Sequence, residues 1–328
     1  MKNLLVLAFT ALTVVACGES SGPSISTVAK TPVSAPAVAH PNKPKPRIAL
    51  VMKTLTNPFF LEMEKGARQA EKKLGVDLHV KTAAQETSIE QQIQIVDDLI
   101  ADKVDAIVIA PGDSQRLIPV LKKAVDKEIK VVNIDNELDR DAQKKAGMEP
   151  VPFISVDNEK AAYAAAKYLI QGISEPTEAA ILEGIRSASN ARLRMEGAKR
   201  AFAENASIKL VASESANWKI DEGYDQTQKI LRQHPAIKVI FAANDMMGLG
   251  ALKSLREAKR TDVKVGSYDA LSEAVAEIRA GNLTVTVDQQ ATEQGFQGVA
   301  VALRLVNGEN VPSVLLVDTR LITAESTK

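Results

Sequence analysis

Cysteine is almost missing from this chain. Cys17 is the one thiol in 328 residues, so no internal disulfide can staple the fold. Histidine is nearly as rare, and His40, His79 and His234 stand far apart with no ligand spacing, which excludes a zinc site of the usual pattern; no metal is expected. Net charge is absent too: 41 basic and 41 acidic side chains cancel. No basic stripe is present to release counterions from a polyanion, so nucleic acid is not an expected partner. The chain has no G-x-x-x-x-G-K run, the backbone cradle a P-loop needs for phosphates. The apolar run Leu4 to Val15 is too short to span a bilayer as a helix. Aromatics make up 4% of the chain, with Trp218 the only tryptophan. What is plentiful is ordinary core material, 45% hydrophobic against 25% charged residues, the balance of a soluble globular protein of about two domains.

The first 46 residues stand apart from that core. Met1-Lys2-Asn3 followed by Leu4 to Val15 reads as a secretory signal. It ends in "VVAC", small and apolar residues before Cys17, a pattern that resembles a bacterial lipoprotein box. The resemblance implies that residues 1–17 are a signal peptide closed by Cys17 and that the acylated Cys17 attaches the chain to a membrane. Residues 18–46 are rich in Ser, Pro, Ala and Thr without an apolar period; such a segment buries too little to offset its ordering entropy, and is expected to be a flexible tether.

From Arg47 onward, short β-branched runs alternate with longer amphipathic ones. "RIALVM", "VDLHV", "VDAIVIA" and "IKVVNID" recur as "EAAILEG", "IKLVASES", "KVIFAAN" and "VKVGSYD". Strands separated by helices mean parallel sheets covered on both faces, an α/β class. The chain also repeats itself. Asp113 aligns with Asp245 at a separation of 132, and Asp135 with Asp269 at 134. Two landmarks with nearly one shift predict two similar doubly wound lobes of about 130 residues.

Ligands of open parallel sheets collect at the carboxyl ends of strands, so the polar residues there carry the functional reading. Lys53 ends the first strand, and Asn57 precedes Pro58, Phe59 and Phe60 at a helix start. Asp135, Asn136 and Glu137 follow the fourth strand; Asn190, Arg194, Trp218, Asn244, Tyr268, Asp269 and Gln289 stand at strand ends of the second half. Amide, carboxylate and guanidinium heads pair with neighbouring hydroxyls, and aromatic faces suit the C–H faces of a sugar ring. Each residue also has a plainer role, since a strand-end Asn or Asp is commonly a helix cap and a Phe is commonly core. Their joint placement in both halves favours a monosaccharide site.

Enzyme chemistry finds less support. "PGDSQ", Pro111 to Gln115, holds a Gly-Asp-Ser run, but no Asp stands three residues before any histidine to complete that hydrolase pair. Asp135, Glu137 and Asp269 supply carboxylates, yet a glycosidase needs two flanking one bond.

The runs "IALVMKTLTNPFF", "VVNIDNELD", "ARLRMEG", "KLVASESANW", "FAANDMMGLGAL" and "GNLTVTVDQ" resemble the periplasmic sugar-binding proteins of the ribose and allose type that serve ABC transporters. The resemblance covers about residues 47–325. It implies two lobes joined by a three-segment hinge, residues 47–155 with 291–316 forming one and 156–290 with 317–328 the other, closing on one sugar without catalysis or cofactor. It implies sugar contacts from Asn57, Phe59, Phe60, Asp135, Asn136, Arg194, Trp218, Asn244, Tyr268, Asp269 and Gln289, an ABC permease as partner, and an exported, lipid-anchored monomer. Lys53 stands where ribose binders carry serine and Asn136 where they carry arginine, leaving the individual sugar open. Delivery to a chemoreceptor or sensor kinase, or capture of a furanosyl signal molecule, stays open beside transport. A matching sugar is expected to shift Trp218 fluorescence; an unchanged spectrum across an aldose and ketose panel would contradict this placement.

Overall fold

The computed structural model describes residues 44–327. The expected signal segment, Cys17 and all but the last three residues of the expected tether lie outside the described residues. The first half builds β1 (Arg47–Met52), β2 (Asp77–Thr82), β3 (Ala106–Ile109), β4 (Lys130–Ile134) and β5 (Phe153–Ser155). The second builds β6 (Thr177–Glu183), β7 (Ile208–Ser215), β8 (Ile237–Ala242), β9 (Lys264–Gly266) and β10 (Val285–Asp288). With β11 (Val314–Leu316) and β12 (Arg320–Thr323) they form two six-stranded sheets, ordered β11-β5-β4-β3-β1-β2 and β12-β10-β9-β8-β6-β7. All pairings are parallel except β10 with β12. The repeated order is the internal duplication seen in the sequence, and each sheet is doubly wound. Helices on both faces explain why β3 is buried at every position.

Three crossings join the sheets. The chain leaves β5 for α5 (Asn158–Leu169), whose Ala162, Ala165 and Leu169 pack with Phe241, Tyr268 and Val287 of the second half. It returns from β10 into α10 (Ala291–Val306), whose Val299 and Ala302 join the core around Leu50 and Val108. It crosses again between β11 and β12. The sequence reading did not anticipate β5, β11 or β12. These strands have three or four residues each, and β11 and β12 are mostly half-exposed or exposed, so neither length nor alternation marks them.

Glycine sets the closest helix contacts. In α1 (Pro58–Leu74), a Cβ on Gly66 would lie 1.8 Å from the carbonyl oxygen of Thr292, and one on Gly295 would lie 2.0 Å from that of Met63. α1 and α10 therefore touch backbone to backbone at two points. The same device joins α7 (Ile220–Gln233) to α8 (Asp245–Glu257), where a Cβ on Gly250 would lie 2.1 Å from Ile220 O. Gly248 and Gly250 both lie in α8, and Gly250 permits that close approach. Gly66→Ala is expected to cost about 1–3 kcal/mol by overpacking, read as a lower urea midpoint at unchanged slope; an unmoved midpoint would show that the helices separate freely.

Candidate binding site

Helix starts and strand ends fix the polar groups before any ligand is considered. Pro58 opens α1, and the Asn57 side chain caps it by accepting from Phe59 N at 3.1 Å. Asn244 does the same for α8, accepting from Met247 N at 2.9 Å. In each case the amide nitrogen is left to point elsewhere: Asn57 Nδ2 donates to Glu86 Oε1 at 3.0 Å, and Asn244 Nδ2 to Trp218 O at 3.2 Å. Cap and cavity wall are one residue in both lobes.

The facing strand ends line a cavity with about 230 Å³ of space free of protein atoms, open solvent included. Its walls are Lys53, Asn57, Phe59, Phe60, Glu86 and Asp135 from one lobe and Asn190, Arg194, Trp218, Asn244, Asp269 and Gln289 from the other. The structure brings together eleven of the fourteen residues singled out in the sequence. The duplicated aspartates are the central pair. Asp135 follows β4 and Asp269 follows β9, with φ of 64° and 125°, conformations uncommon for residues other than glycine. Asp135 Oδ2 lies 2.7 Å from Lys53 Nζ, and Asp269 Oδ1 lies 3.4 Å from Arg194 Nη1.

Arg194, in α6 (Ser189–Ala203), is only 3% exposed and bonds four neighbours. Its Nε donates to Asn158 Oδ1 at 2.8 Å, Nη1 to Ala243 O at 3.0 Å and Nη2 to Gln289 Oε1 at 3.2 Å. The guanidinium carbon sits 3.8 Å from the Tyr268 ring centroid and 5.5 Å from that of Trp218. Lys53 Nζ lies 5.7 Å from the Phe60 centroid, and Phe60 meets Phe59 edge to face at 5.1 Å. Both phenylalanines border the cavity. Trp218 Nε1 and Asn190 Oδ1 are buried with no partner among the described residues; such groups cost about 1–3 kcal/mol unless something bonds them.

Asn136, Glu137 and Tyr268 stand outside the cavity wall. Asn136 Nδ2 donates to Pro111 O at 3.0 Å and its Oδ1 accepts from Asn190 N at 3.2 Å, so it ties the lobes together beside the cavity. Two more bonds do likewise: Ser114 N to Ser187 O at 3.2 Å and Ser189 N to Ser114 Oγ at 3.0 Å. Glu137 turns away to pair with Arg140, Nε to Oε1 at 2.6 Å, because successive side chains beyond a strand cannot share one direction. Tyr268 lies beneath Arg194 with no exposed surface, supporting the guanidinium instead of forming a wall. Glu86 was missed. It follows β2, and the rule of reading strand ends would have found it.

Burial dominates the titration of Glu86 and Asp269. It lifts the Glu86 carboxyl above its ordinary range although Lys53 and the Asn57 amide pull the other way. It lifts Asp269 well above that range despite Arg194. Asp245, at the start of α8, is pushed up to about 6 by burial, although Thr286 Oγ1 and Leu271 N both donate to it at 2.7 Å and the Ser267 hydroxyl donates as well.

Two similar α/β lobes closing on a cavity lined from both define a two-lobed binding protein. The chain belongs to the periplasmic binding protein family: the model of a periplasmic binding protein domain matches residues 48–310. It is 41% identical over 270 residues to the D-ribose/D-allose-binding protein of Pseudomonas aeruginosa, covering 81% of this chain and 83% of that one. It is 33% identical over 283 residues to the D-allose-binding periplasmic protein of Escherichia coli, covering 84% and 91%. Among solved structures it resembles an ABC transporter periplasmic solute-binding protein of Actinobacillus succinogenes with bound D-allose, with TM-score 0.82, 39% identity, and coverage of 86% of this chain and 99% of that one.

The raised Asp245 value has a consequence for stability. The folded state holds its proton more tightly than the unfolded state, whose aspartate titrates near 3.8, so the stability from this group falls as pH rises from 3.8 to about 6. Urea titrations of the native chain and Asp245→Asn from pH 4 to 7 are expected to diverge by about 3 kcal/mol across that window; parallel pH profiles would refute it.

Proposed function

We propose that the chain is a solute-binding protein that captures a monosaccharide of the ribose and allose class between its lobes and presents it to an ABC transporter permease. The observation that carries this reading is the cavity itself. Paired heads and aromatic rings converge on it from both lobes, with Trp218 Nε1 and Asn190 Oδ1 still seeking partners. In this reading Lys53, Asn57, Asp135, Asn190, Arg194, Asn244, Asp269 and Gln289 bond hydroxyls, and Phe59, Phe60 and Trp218 hold the C–H faces. The relatives support the ligand class, being named for ribose and allose, and one solved neighbour holds D-allose. No observation favours delivery to a sensor over delivery to a permease.

Closure supplies the signal. A sugar touching both lobes binds the closed form better than the open one and shifts the hinge population toward it. The affinity required is modest, since about 8 kcal/mol makes a micromolar complex, roughly 0.7 kcal/mol for each of about 12 heavy atoms of a hexose, below the ceiling for small ligands. The site is not an enzyme's in this reading, because the two aspartates that face each other are engaged by Lys53 and Arg194. The chain is exported, acylated at Cys17, works as a monomer, and holds its binding unit off the membrane by residues 18–46.

Calorimetry and thermal shift against D-allose and D-ribose are the test. A sugar at 100 times its Kd is expected to add about 2.7 kcal/mol of stability, and aryl glycosides are expected to give no turnover. No heat and no stabilisation with a broad monosaccharide panel would overturn the reading.

A further inference from the structure

The cavity holds three carboxylates and two cations, and the distances show which carboxylate is left over. Lys53 Nζ stands 2.7 Å from Asp135 Oδ2 but 3.9 Å from Glu86 Oε2. Arg194 is committed to Asp269, which also accepts from Gln289 Nε2 at 2.6 Å. Asp135 has a further donor in Asn190 Nδ2, at 3.3 Å. Glu86 is left with one neutral donor, Asn57 Nδ2 at 3.0 Å, and a second claim on a lysine already paired. The groups that reach it are Lys53 and Asn57 from the end of β1 and the turn after it, Asp135 from the end of β4, and Arg194 from α6. Asp135 repels its charge, and Asp269 across the cavity feels the same repulsion from Glu86. Glu86 is 9% exposed, so water does not make up the deficit. A buried carboxylate without its own cation is disfavoured far more than a neutral carboxylic acid.

We infer that Glu86 enters the closed cleft as the neutral acid, taking up one proton as the lobes close, and donates its O–H to a ring or hydroxyl oxygen of the sugar. The inference deepens the sugar-binding reading and rests on it. The proton comes from solvent or buffer and is released when the cleft opens. Glu86 thereby becomes a donor in the cavity wall. The upward shift of its carboxyl by burial agrees in direction.

The sign of the linkage follows. In the open form Glu86 meets water and ionises near its ordinary value of 4.5, whereas the closed form retains the proton to higher pH. Closing therefore binds protons above that value, and affinity falls as pH rises until the closed form also ionises. Asp269 is the competing site, since burial lifts it as well; it differs in having a cation of its own.

The test uses D-allose and D-ribose as probes with the whole folded chain, by isothermal titration at several pH values from 5 to 8. Two buffers of different ionisation heat count the protons exchanged. The native protein is expected to take up as much as one proton per sugar, with Kd rising by up to tenfold per pH unit over the responsive range. Glu86→Gln is expected to abolish the uptake and flatten the profile. Glu86→Ala is expected to bind more weakly than Glu86→Gln at every pH, because the amide N–H of glutamine replaces the acid O–H as donor. A flat native profile, a slope that survives in Glu86→Gln, or a slope removed by Asp269→Asn instead would overturn the assignment. No heat with either sugar at any pH would be a different result, one that removes the sugar reading and this assignment with it.

Discussion

The structure depends on a requirement that buried charges be paired inside the closed cleft. Lys53 with Asp135 and Arg194 with Asp269 face each other from the two lobes, each of the four residues at least nine-tenths buried. Removing one member of such a pair leaves an uncompensated charge, which costs about 3–5 kcal/mol. The pairs hold the carboxylates in place at the cavity wall. The left-handed backbone at Asp135 and Asp269 belongs to this arrangement, since a strained conformation persists only where its surroundings over-determine it.

Rigid lobes make that pairing meaningful. Backbone contact at Gly66 with Gly295, and at Gly250, fixes helices against each other with no side chain between to yield. The two sheets are joined only by the three crossings after β5, β10 and β11 among the described residues. Across the cleft the lobes are tied directly by a few hydrogen bonds around Ser114, Asn136 and Asn190. At about 0.5–1.5 kcal/mol net for each bond, these ties hold a closed state that a ligand can bias. One apolar cluster runs from Phe59 and Phe60 to Trp218 and Met247, so closing also buries apolar surface shared by both lobes.

Two residues combine a helix cap with a place in the cavity wall. Asn57 and Asn244 are helix caps by their oxygens and cavity walls by their amide nitrogens. A cap sits at the carboxyl end of a strand by construction, which is where the cleft is. Asking whether a strand-end Asn caps or binds therefore poses a false choice in this fold. Phe59 and Phe60 behave in the same way, closing the core below while bordering the cavity above.

The α/β class, the duplication and most of the cavity wall were legible in the chain, because parallel strands buried on both faces must be continuously apolar and must end in the loops where polar groups gather. Asp135 and Asp269 could be matched by spacing alone. Direction was not legible. Asn136 and Glu137 adjoin Asp135 in sequence, but the turn sends one to the seam between lobes and the other to Arg140. Tyr268 adjoins Asp269 and goes beneath Arg194. Glu86, in the loop after β2, was within reach of the strand-end rule, and it reaches the cavity because β2 lies beside β1 in the sheet. The sequence by itself determined which residues stand at strand ends, since that follows from local periodicity. Only the tertiary structure decided which of them share one cavity and which carboxylate stands farthest from a cation, because those follow from distances between segments remote along the chain.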